Sequence, residues 1–338
     1  MTLTVAPAHP ASPDAGFFVA PPALSRTRHL LGLEGFSGAE ILDLLDHAHT
    51  YRERWRTQGR APSRELAGVE VCHAFFEDST RTRASFELAA LRLGATAVAF
   101  TAGGSSVSKG ESLLDTLQTL AAMGVDLVVL RHRSSGAAAY VAQQLEAGVI
   151  NAGDGMHEHP TQGLLDLLTL RDAWSGRFEG RRLAIVGDIA HSRVARSAIH
   201  GLLALGSEVT LAGPSTLMPA EIEALGVEVA RSVEDAMAGA DGVMALRLQR
   251  ERMESGLLPS LSEYARVWGI TPPRVALMKP EAVVLHPGPM NRGVEIAPEV
   301  ADGGRSRILA QVENGVAVRS AVLSRLAQAA RERRAAHL

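Results

Sequence analysis

Short apolar segments alternate with amphipathic segments along most of this 338-residue chain, and the alternation constrains the fold more than any other feature. VEVCHAFFE (Val69 to Glu77) and VDLVVLR (Val125 to Arg131) have the continuous apolar character of buried strands, while SFELAALRLG (Ser85 to Gly94) has helical periodicity. Strands buried on both faces and separated by helices are typical of parallel sheets that helices cover on each side. The sequence therefore predicts an α/β fold.

The pattern occurs twice, which predicts two doubly wound lobes, each a parallel sheet flanked by helices and joined by bridging helices. In the second half, RLAIVG, EVTLAG, DGVMALR and AVVLHPGP are expected strands, and helices are expected at VARSAIHGLLALG, near PAEIEALG and near VEDAMAGA. At about 100–200 residues per domain, the length also favours two domains. We expect a flexible tail over 1–25, a first domain over 26–160 and a second over 161–314, with a C-terminal helix over 315–334 packing back on the first.

Composition excludes several classes of protein. The formal net charge of −3 disfavours a nucleic-acid-binding protein, which normally carries a basic excess. No apolar run reaches the roughly 18 residues of a membrane span, and the N-terminal segment lacks the features of a secretory signal. A single cysteine, Cys72, leaves no internal disulfide and no cysteine-based zinc site. A cytoplasmic protein without nucleic-acid or membrane partners is expected.

The segment STRTR lies at the start of a predicted helix and carries more hydrogen-bond donors than a helix cap needs. Backbone N–H groups at a helix start attract anions, and an arginine adds a bidentate fork. The alternative is ordinary capping by a serine or threonine, but no glutamate follows three residues after any of the three hydroxyl residues, so a capping box is absent. The pattern predicts an anion site formed by Ser79, Thr80, Arg81 and Thr82.

Arg83 is the second arginine of the same segment, and we do not assign it to the anion. Glu87 lies four residues further on, which is the spacing of an ion pair on one helix face. We expect Arg83 to have this structural role.

Two further segments of the first half are ambiguous when read alone. GGSSVSKGES contains Ser105 and Lys109 in a glycine-rich loop, which either reaches over a substrate or is a solvated loop; it does not fit the Walker A pattern. Arg131 directly follows a buried strand, so its side chain points either into a crevice or to solvent.

GDGMHEHPTQ combines histidines with the start of a helix. A metal site is suggested by three consecutive potential ligands, His157, Glu158 and His159. Further ligands at plausible spacing are not evident, so we predict no metal. His159 with Gln162 better suits an imidazole and an amide held at a helix start. The alternative is a surface histidine before a proline-initiated helix.

In the second half, polar residues follow three predicted strands, where parallel sheets place their ligands. VGDIAHSRVARS lacks the glycines of a dinucleotide-binding turn and instead has Arg193, which suits a carboxylate. Arg247 and Gln249 alternate at strand spacing and so face the same side; the alternative is a solvated basic stretch. In LHPGPMNRGVEI, Gly288 and Pro289 form a rigid loop whose carbonyls can accept from an amine, and one X–Pro bond there is a candidate for the cis form.

Together these motifs resemble the aspartate/ornithine carbamoyltransferase family. The resemblance runs from about Leu31 to the C-terminal helix, and STRTR, HPTQ and the HPGP-type loop occur in the family's order. It implies that the amino group of L-aspartate attacks carbamoyl phosphate to give N-carbamoyl-L-aspartate and phosphate, the committed step of pyrimidine synthesis. It implies no metal and no organic cofactor.

The resemblance also implies roles on the carbamoyl phosphate side. Thr82, Arg131 and His159 would stabilise the oxyanion of the tetrahedral intermediate, with the histidine as a neutral donor, and Gln162 would bind the carbamoyl nitrogen. The residues expected to be catalytic are Arg81, Thr82, Arg131 and His159. The residues expected to bind carbamoyl phosphate are Ser79, Thr80, Arg81, Thr82, Ser105, Arg131, His159, Gln162, Gly288 and Pro289.

On the aspartate side, the resemblance implies that Arg193 binds the α-carboxylate and that Arg247 with Gln249 binds the side-chain carboxylate. In this family Ser105 and Lys109 reach in from a neighbouring subunit, and Lys109 is expected to contact L-aspartate. A homotrimer with shared active sites follows. The sequence HPGPMNRGVEI resembles that of catalytic chains that associate with dihydroorotase. A dihydroorotase-like or regulatory chain is therefore also an expected partner.

Three alternatives remain to be compared. An ornithine carbamoyltransferase shares STRTR but would be expected to show a Ser-Met-Gly motif, which is missing here, and the positive charge of ornithine would repel Arg247. A dinucleotide-dependent oxidoreductase is disfavoured by the missing glycines. A two-lobed binding protein without catalysis would not need His159 beside an anion site.

Overall fold

The computed structural model describes residues 28–101, 111–248 and 260–336. Within these ranges the chain forms two parallel sheets flanked by helices, which confirms the predicted α/β fold with two lobes. Ser105, Lys109 and Gln249, three of the predicted site residues, lie outside the described residues.

The first lobe is built on a four-stranded parallel sheet with the order β2-β1-β3-β4. Because β1 and β3 are neighbours at the centre, the segments that follow them open at the same edge of the sheet. Its elements are α1 (Gly38–Gln58), β1 (Glu70–Phe75), α2 (Thr80–Leu93), β2 (Thr96–Thr101), α3 (Leu113–Ala122), β3 (Leu127–His132), α4 (Ala137–Ala142) and β4 (Gly148–Asp154).

The second lobe is built on a five-stranded parallel sheet with the order β7-β6-β5-β8-β9. Here β5, β8 and β9 are adjacent, so the segments after them also share an edge. The remaining elements are α5 (Pro160–Ala173), β5 (Arg182–Val186), α6 (Arg193–Ala204), β6 (Glu208–Ala212), β7 (Glu228–Val229), α7 (Val233–Met237), β8 (Gly242–Ala245), α8 (Leu261–Trp268), α9 (Pro272–Val275), β9 (Val283–Leu285), α10 (Pro298–Ala301) and α11 (Ile308–Ala336).

Two long helices connect the lobes. Every residue of α5 from Pro160 to Leu170 is buried, and this helix packs against α1, α6 and α11. Helix α11 in turn packs on α1 and α2 of the first lobe as well as on α5. Leucines such as Leu164 and Leu168 belong to one apolar core with residues of both lobes, and each contributes roughly 1.5–3 kcal/mol by burial. The two sheet edges are therefore held facing each other.

Several predicted elements differ from the structure. The helix expected near PAEIEALG is replaced by two 3₁₀ turns, Ser215–Leu217 and Ile222–Leu225, and Glu221 has a left-handed backbone (φ 58°) that an α-helix does not accommodate. Helix α11 begins at Ile308 rather than at Gly315. Gly315 lies inside this helix, where an added Cβ would press on Arg319 Nη1 and Leu165 Cδ2, at 2.6 and 3.3 Å, so close packing requires a glycine at this position. Strands β4 and β7 and the helices α4, α8, α9 and α10 were not predicted.

None of the helices in the described ranges combines the length and the apolar character that a membrane span requires.

Candidate active site

A cavity of about 680 Å³ lies between the two lobes, where the sheet edges face each other. Its walls come from the segments after β1, β8 and β9, from the starts of α5 and α6, and from α11. Arg131, expected to follow a buried strand, instead lies within β3 and reaches the cavity from there. Every predicted site residue within the described ranges lines it, and these residues are Ser79, Thr80, Arg81, Thr82, Arg131, His159, Gln162, Arg193, Arg247, Gly288 and Pro289.

The segment STRTR forms the N-terminus of α2, with Ser79 as the N-cap residue. The Ser79 side chain makes no capping hydrogen bond, so capping does not account for the hydroxyls at this helix start. The exposed Thr80 and Arg81 side chains and the backbone N–H groups of the first turn border the cavity together. This arrangement suits an anion with several oxygens.

Arg81 and Arg247 bring positive charge to the cavity from opposite lobes. Solvent reaches the Arg81 side chain through the cavity, but the surrounding walls remove part of its hydration, and this desolvation, followed by the nearby charge of Arg247, lowers the pKa of Arg81. Two guanidinium groups that repel each other across a cavity gain most from an anion placed between them.

Arg83 does not line the cavity wall described above. Its Nε lies 3.2 Å from Glu87 Oε1, four residues on along α2, and both side chains are about two-fifths exposed. The predicted structural pair is confirmed, and it divides the two arginines of STRTR by role.

Glu77 was not singled out from the sequence, yet it lines the cavity and contacts two of its arginines. Its Oε2 accepts a hydrogen bond from Arg193 Nη2 at 2.8 Å and lies 3.3 Å from Arg131 Nε. These arginines come from different lobes, so one carboxylate joins both sides of the cavity. An acidic residue directly after a central parallel strand, two residues before STRTR, was the available signal in the sequence.

His159 is the N-cap residue of α5 and is only 4% exposed. Its backbone N–H donates to Ser197 Oγ at 2.9 Å, which fixes the residue against α6. Burial, with the positive charges of Arg131, Arg193 and Arg319, holds the pKa of His159 well below its ordinary value. The imidazole is therefore neutral near pH 7 and suited to donate a hydrogen bond rather than to serve as an acid.

The loop after β9 approaches the anion segment closely. Gly288 has a φ of 60°, its peptide bond to Pro289 is cis, and an added Cβ would overlap Arg81 Nη1. The Gly288 N–H donates to His286 Nδ1 at 2.8 Å, and His286 Nε2 lies 3.1 Å from the buried Glu295 carboxylate. Because Nδ1 accepts, Nε2 carries the ring proton, and this chain of contacts holds the loop in place.

His157, Glu158 and His159 do not converge on one point. The Glu158 carboxylate accepts from Leu33 N and Ser197 Oγ, each at 2.7 Å, whereas His157 Nδ1 lies 3.2 Å from Asp154. Among the described residues, Glu34, Glu158 and His200 are close enough together to be considered for a metal. The Glu158 carboxylate already accepts hydrogen bonds from Leu33 N, Glu34 N and Ser197 Oγ, and these contacts account for its burial without a metal.

Comparison with known proteins gives consistent results over both lobes. Residues 28–172 match the family model for the carbamoyl-phosphate-binding domain of aspartate/ornithine carbamoyltransferases, and residues 179–326 match the model for the aspartate/ornithine-binding domain. The aspartate carbamoyltransferase catalytic subunit of Gluconobacter oxydans is 55% identical over 303 residues, which cover 89% of this chain and 96% of that protein.

Solved structures agree with the sequence relatives. Aspartate transcarbamoylase from Trypanosoma cruzi in complex with carbamoyl phosphate superposes with a TM-score of 0.79 at 31% identity, covering 91% of this chain and 98% of that one. Ornithine carbamoyltransferase from Thermus thermophilus gives a TM-score of 0.77 at 26% identity, covering 88% and 98%.

Proposed function

The chain belongs to the aspartate/ornithine carbamoyltransferase family, and on that basis we propose how it transfers the carbamoyl group of carbamoyl phosphate to L-aspartate. The products are N-carbamoyl-L-aspartate and phosphate, the committed step of pyrimidine synthesis. One observation carries the substrate assignment: a single cavity takes arginines from both lobes around a neutral, buried histidine.

Carbamoyl phosphate binds to the wall that the first lobe supplies. The start of α2 offers backbone N–H groups, hydroxyls and the Arg81 guanidinium, which match the oxygens of a phosphate. Arg131 and His159 lie beside this segment on the same cavity. We assign residues 26–160 to this substrate and residues 161–314 to aspartate.

L-Aspartate binds on the second-lobe side, where its two carboxylates match two arginines. Arg193, at the first turn of α6, takes the α-carboxylate, and the Glu77 pair supports this role because it already places a carboxylate against the Arg193 guanidinium. Arg247 takes the side-chain carboxylate, with Gln249 as the predicted partner. Ornithine is disfavoured since its side-chain cation would face Arg247 rather than pair with it.

Catalysis follows from placing two reactants and stabilising charge. The aspartate amino nitrogen attacks the carbamoyl carbon, and negative charge moves onto the carbamoyl oxygen. Thr82, Arg131 and His159 stabilise that oxyanion. The C–O bond to phosphate then breaks, the attacking nitrogen transfers its proton to an oxygen of the leaving phosphate, and the STRTR segment holds the resulting hydrogen phosphate. Carbonyls of the loop at Gly288 and Pro289 orient the amine, and holding both reactants in one cavity removes much of the entropic barrier.

The chain functions as a homotrimer with sites at its subunit boundaries. Strand β2 lies at the edge of the first sheet, and its exposed Val98, together with exposed Leu88 and Leu91 on α2, forms an apolar surface suited to another subunit. The segment that carries Ser105 and Lys109 follows β2 directly along the chain. A cytoplasmic location and a dihydroorotase-like or regulatory partner remain predictions.

Mixing two inactive variants tests the shared site. Equal amounts of Lys109→Ala and His159→Ala chains, dissociated and reassembled, should regain activity because about a quarter of the sites in random mixed trimers combine two intact contributions. No recovery in verified mixed trimers would show that each site belongs to one chain.

The reaction itself is tested by incubating the purified chain with carbamoyl phosphate and L-aspartate and measuring carbamoyl-aspartate by its colour reaction. We expect formation of this product and phosphate in equal amounts. Phosphate release without carbamoyl-aspartate would contradict the transfer.

A further inference from the structure

We propose that Asp166 is a positioning residue: it fixes the Gln162 amide with its carbonyl oxygen directed into the cavity, so that the site selects an acyl phosphate bearing an N–H donor over one bearing a methyl group. The inference rests on the proposed function and deepens it, because it explains how the site distinguishes a carbamoyl group from an acetyl group of the same shape.

Asp166 lies one turn after Gln162 on α5 and is 1% exposed. Its Oδ1 accepts from Gln162 Nε2 at 2.9 Å. A carboxylate oxygen without a proton accepts hydrogen bonds and donates none, so the glutamine must present its NH₂ group to Asp166. Since Gln162 also lines the cavity and Asp166 holds its NH₂ group, the carbonyl oxygen is the acceptor that the amide presents to a ligand.

The same carboxylate oxygen also fixes a second glutamine. Gln311 Nε2 donates to Asp166 Oδ1 at 2.7 Å, and Gln311 Oε1 accepts from His286 N at 3.0 Å. Asp166 thus orients both amides in the same way, by accepting from their NH₂ groups. Through Gln311 on α11, it also connects α5 to the loop at Gly288. Both glutamines line the cavity, and the carboxylate lies behind them.

Protonation of Asp166 does not undo this arrangement. Burial, opposed by the two glutamine bonds and by Arg319, raises the pKa of Asp166 to about 7. Its other oxygen, Oδ2, is buried and has no hydrogen-bond partner among the described residues, so a proton would reside there. Oδ1 then remains an acceptor for both amides in either state.

The orientation has a chemical consequence for substrate choice. A carbamoyl NH₂ group donates to the Gln162 oxygen, whereas the methyl group of acetyl phosphate leaves that oxygen unpaired in a dry site, which weakens binding by roughly fivefold to a hundredfold. An amide that is not held in place would lose less, because it could turn its polar atoms away from the methyl group. Asp166 therefore contributes to selectivity without contacting the substrate.

Two kinds of substitution separate this role from general packing. Asp166→Asn keeps an oxygen at the Oδ1 position and should keep the orientation of both glutamines. Asp166→Ala and Asp166→Leu remove the acceptor, and the leucine fills the volume. The measurement is the ratio of the dissociation constants of acetyl phosphate and carbamoyl phosphate, determined by calorimetry on one preparation of the full chain, so that the folded fraction does not alter it.

We expect wild type to prefer carbamoyl phosphate at least about tenfold, Asp166→Asn to stay within about threefold of that ratio, and the apolar variants to lose about fivefold or more of it. An unchanged ratio in a folded apolar variant, or a loss in Asp166→Asn as large as in Asp166→Ala, would overturn the inference. Failure of wild type to bind carbamoyl phosphate at all would instead overturn the proposed function.

Discussion

Glu77 Oε2 accepts a 2.8 Å hydrogen bond from Arg193 Nη2, and this contact joins the segment after β1 of the first lobe to the first turn of α6 in the second. The Arg193 side chain is 5% exposed and that of Glu77 24%, so the pair is largely shielded from water. The same carboxylate neutralises part of the charge of Arg131. Glu77 thus fixes the relative positions of Arg131 and Arg193, which are assigned to different substrates.

Replacing Glu77 by glutamine should impair aspartate use. Hydrogen bonds to charged groups contribute about 1.5–3 kcal/mol, so we expect kcat/KM for aspartate to fall roughly tenfold to a hundredfold. Steady-state kinetics at saturating carbamoyl phosphate measures this. Glu87→Gln is the matched control, because Glu87 belongs to an exposed pair on α2 and should change kcat/KM little. Equal effects of the two variants would contradict the role given to Glu77.

The two arginines of STRTR should differ sharply. Arg81→Ala removes a cation from the cavity wall and should lower kcat by at least about a hundredfold, since oxyanion and phosphate stabilisation contribute on this scale. Arg83→Ala removes only the exposed pair with Glu87 and should leave kcat within about twofold. Initial rates with both substrates saturating decide the matter, and a larger loss in Arg83→Ala would show that the roles are reversed.

Arg247→Ala should act mainly on aspartate. The expected result is a rise of at least tenfold in KM for aspartate, with the dissociation constant of carbamoyl phosphate changed less, because Arg247 is assigned to the side-chain carboxylate. Arg231→Ala provides a control on an exposed position of the same lobe. If carbamoyl phosphate binding were lost and aspartate KM kept, Arg247 would belong to the other substrate.

The pKa values of His157 and His159, two residues apart, should be shifted in opposite directions. The hydrogen bond to Asp154, as the largest cause, raises the pKa of His157, whereas burial lowers the pKa of His159 well below its ordinary value. Between pH 7.5 and 5.5 the ring signals of His157 should move with a midpoint above 6.5, and those of His159 should stay at their neutral positions. Imidazole NMR spectra, assigned with His157→Gln and His159→Gln chains, would reveal this. Protonation of His159 in that range would remove its role as a neutral donor.

The α/β class and the first-lobe site segments were predictable because the signals are local. Buried strands such as Val69 to Glu77 are continuous apolar runs, and STRTR carries more hydrogen-bond donors than a helix cap needs. The pair of Arg83 and Glu87 follows from helical spacing alone. Such features require no knowledge of what lies across the fold.

Other features depend on tertiary contacts and were not predictable. The role of Glu77 depends on Arg193 of the second lobe, whose Nη2 lies 2.8 Å from its carboxylate, and the sequence does not show that the two residues meet. Asp166 and Gln311 are 145 positions apart and meet only because α5 and α11 pack together. Strand β4 does not have the continuous apolar run of β3, because it contains Asn151 and Asp154. These two residues are buried in the structure with hydrogen-bond partners from other segments of the chain, so the burial of β4 depends on the assembled sheet.

Carbamoylation of aspartate by this chain is best measured by offering aspartate and ornithine as acceptors at equal concentration and saturating carbamoyl phosphate. We expect rapid formation of carbamoyl-aspartate and no citrulline above background. Formation of citrulline in preference to carbamoyl-aspartate would contradict the assignment of Arg193 and Arg247 to the two carboxylates of aspartate.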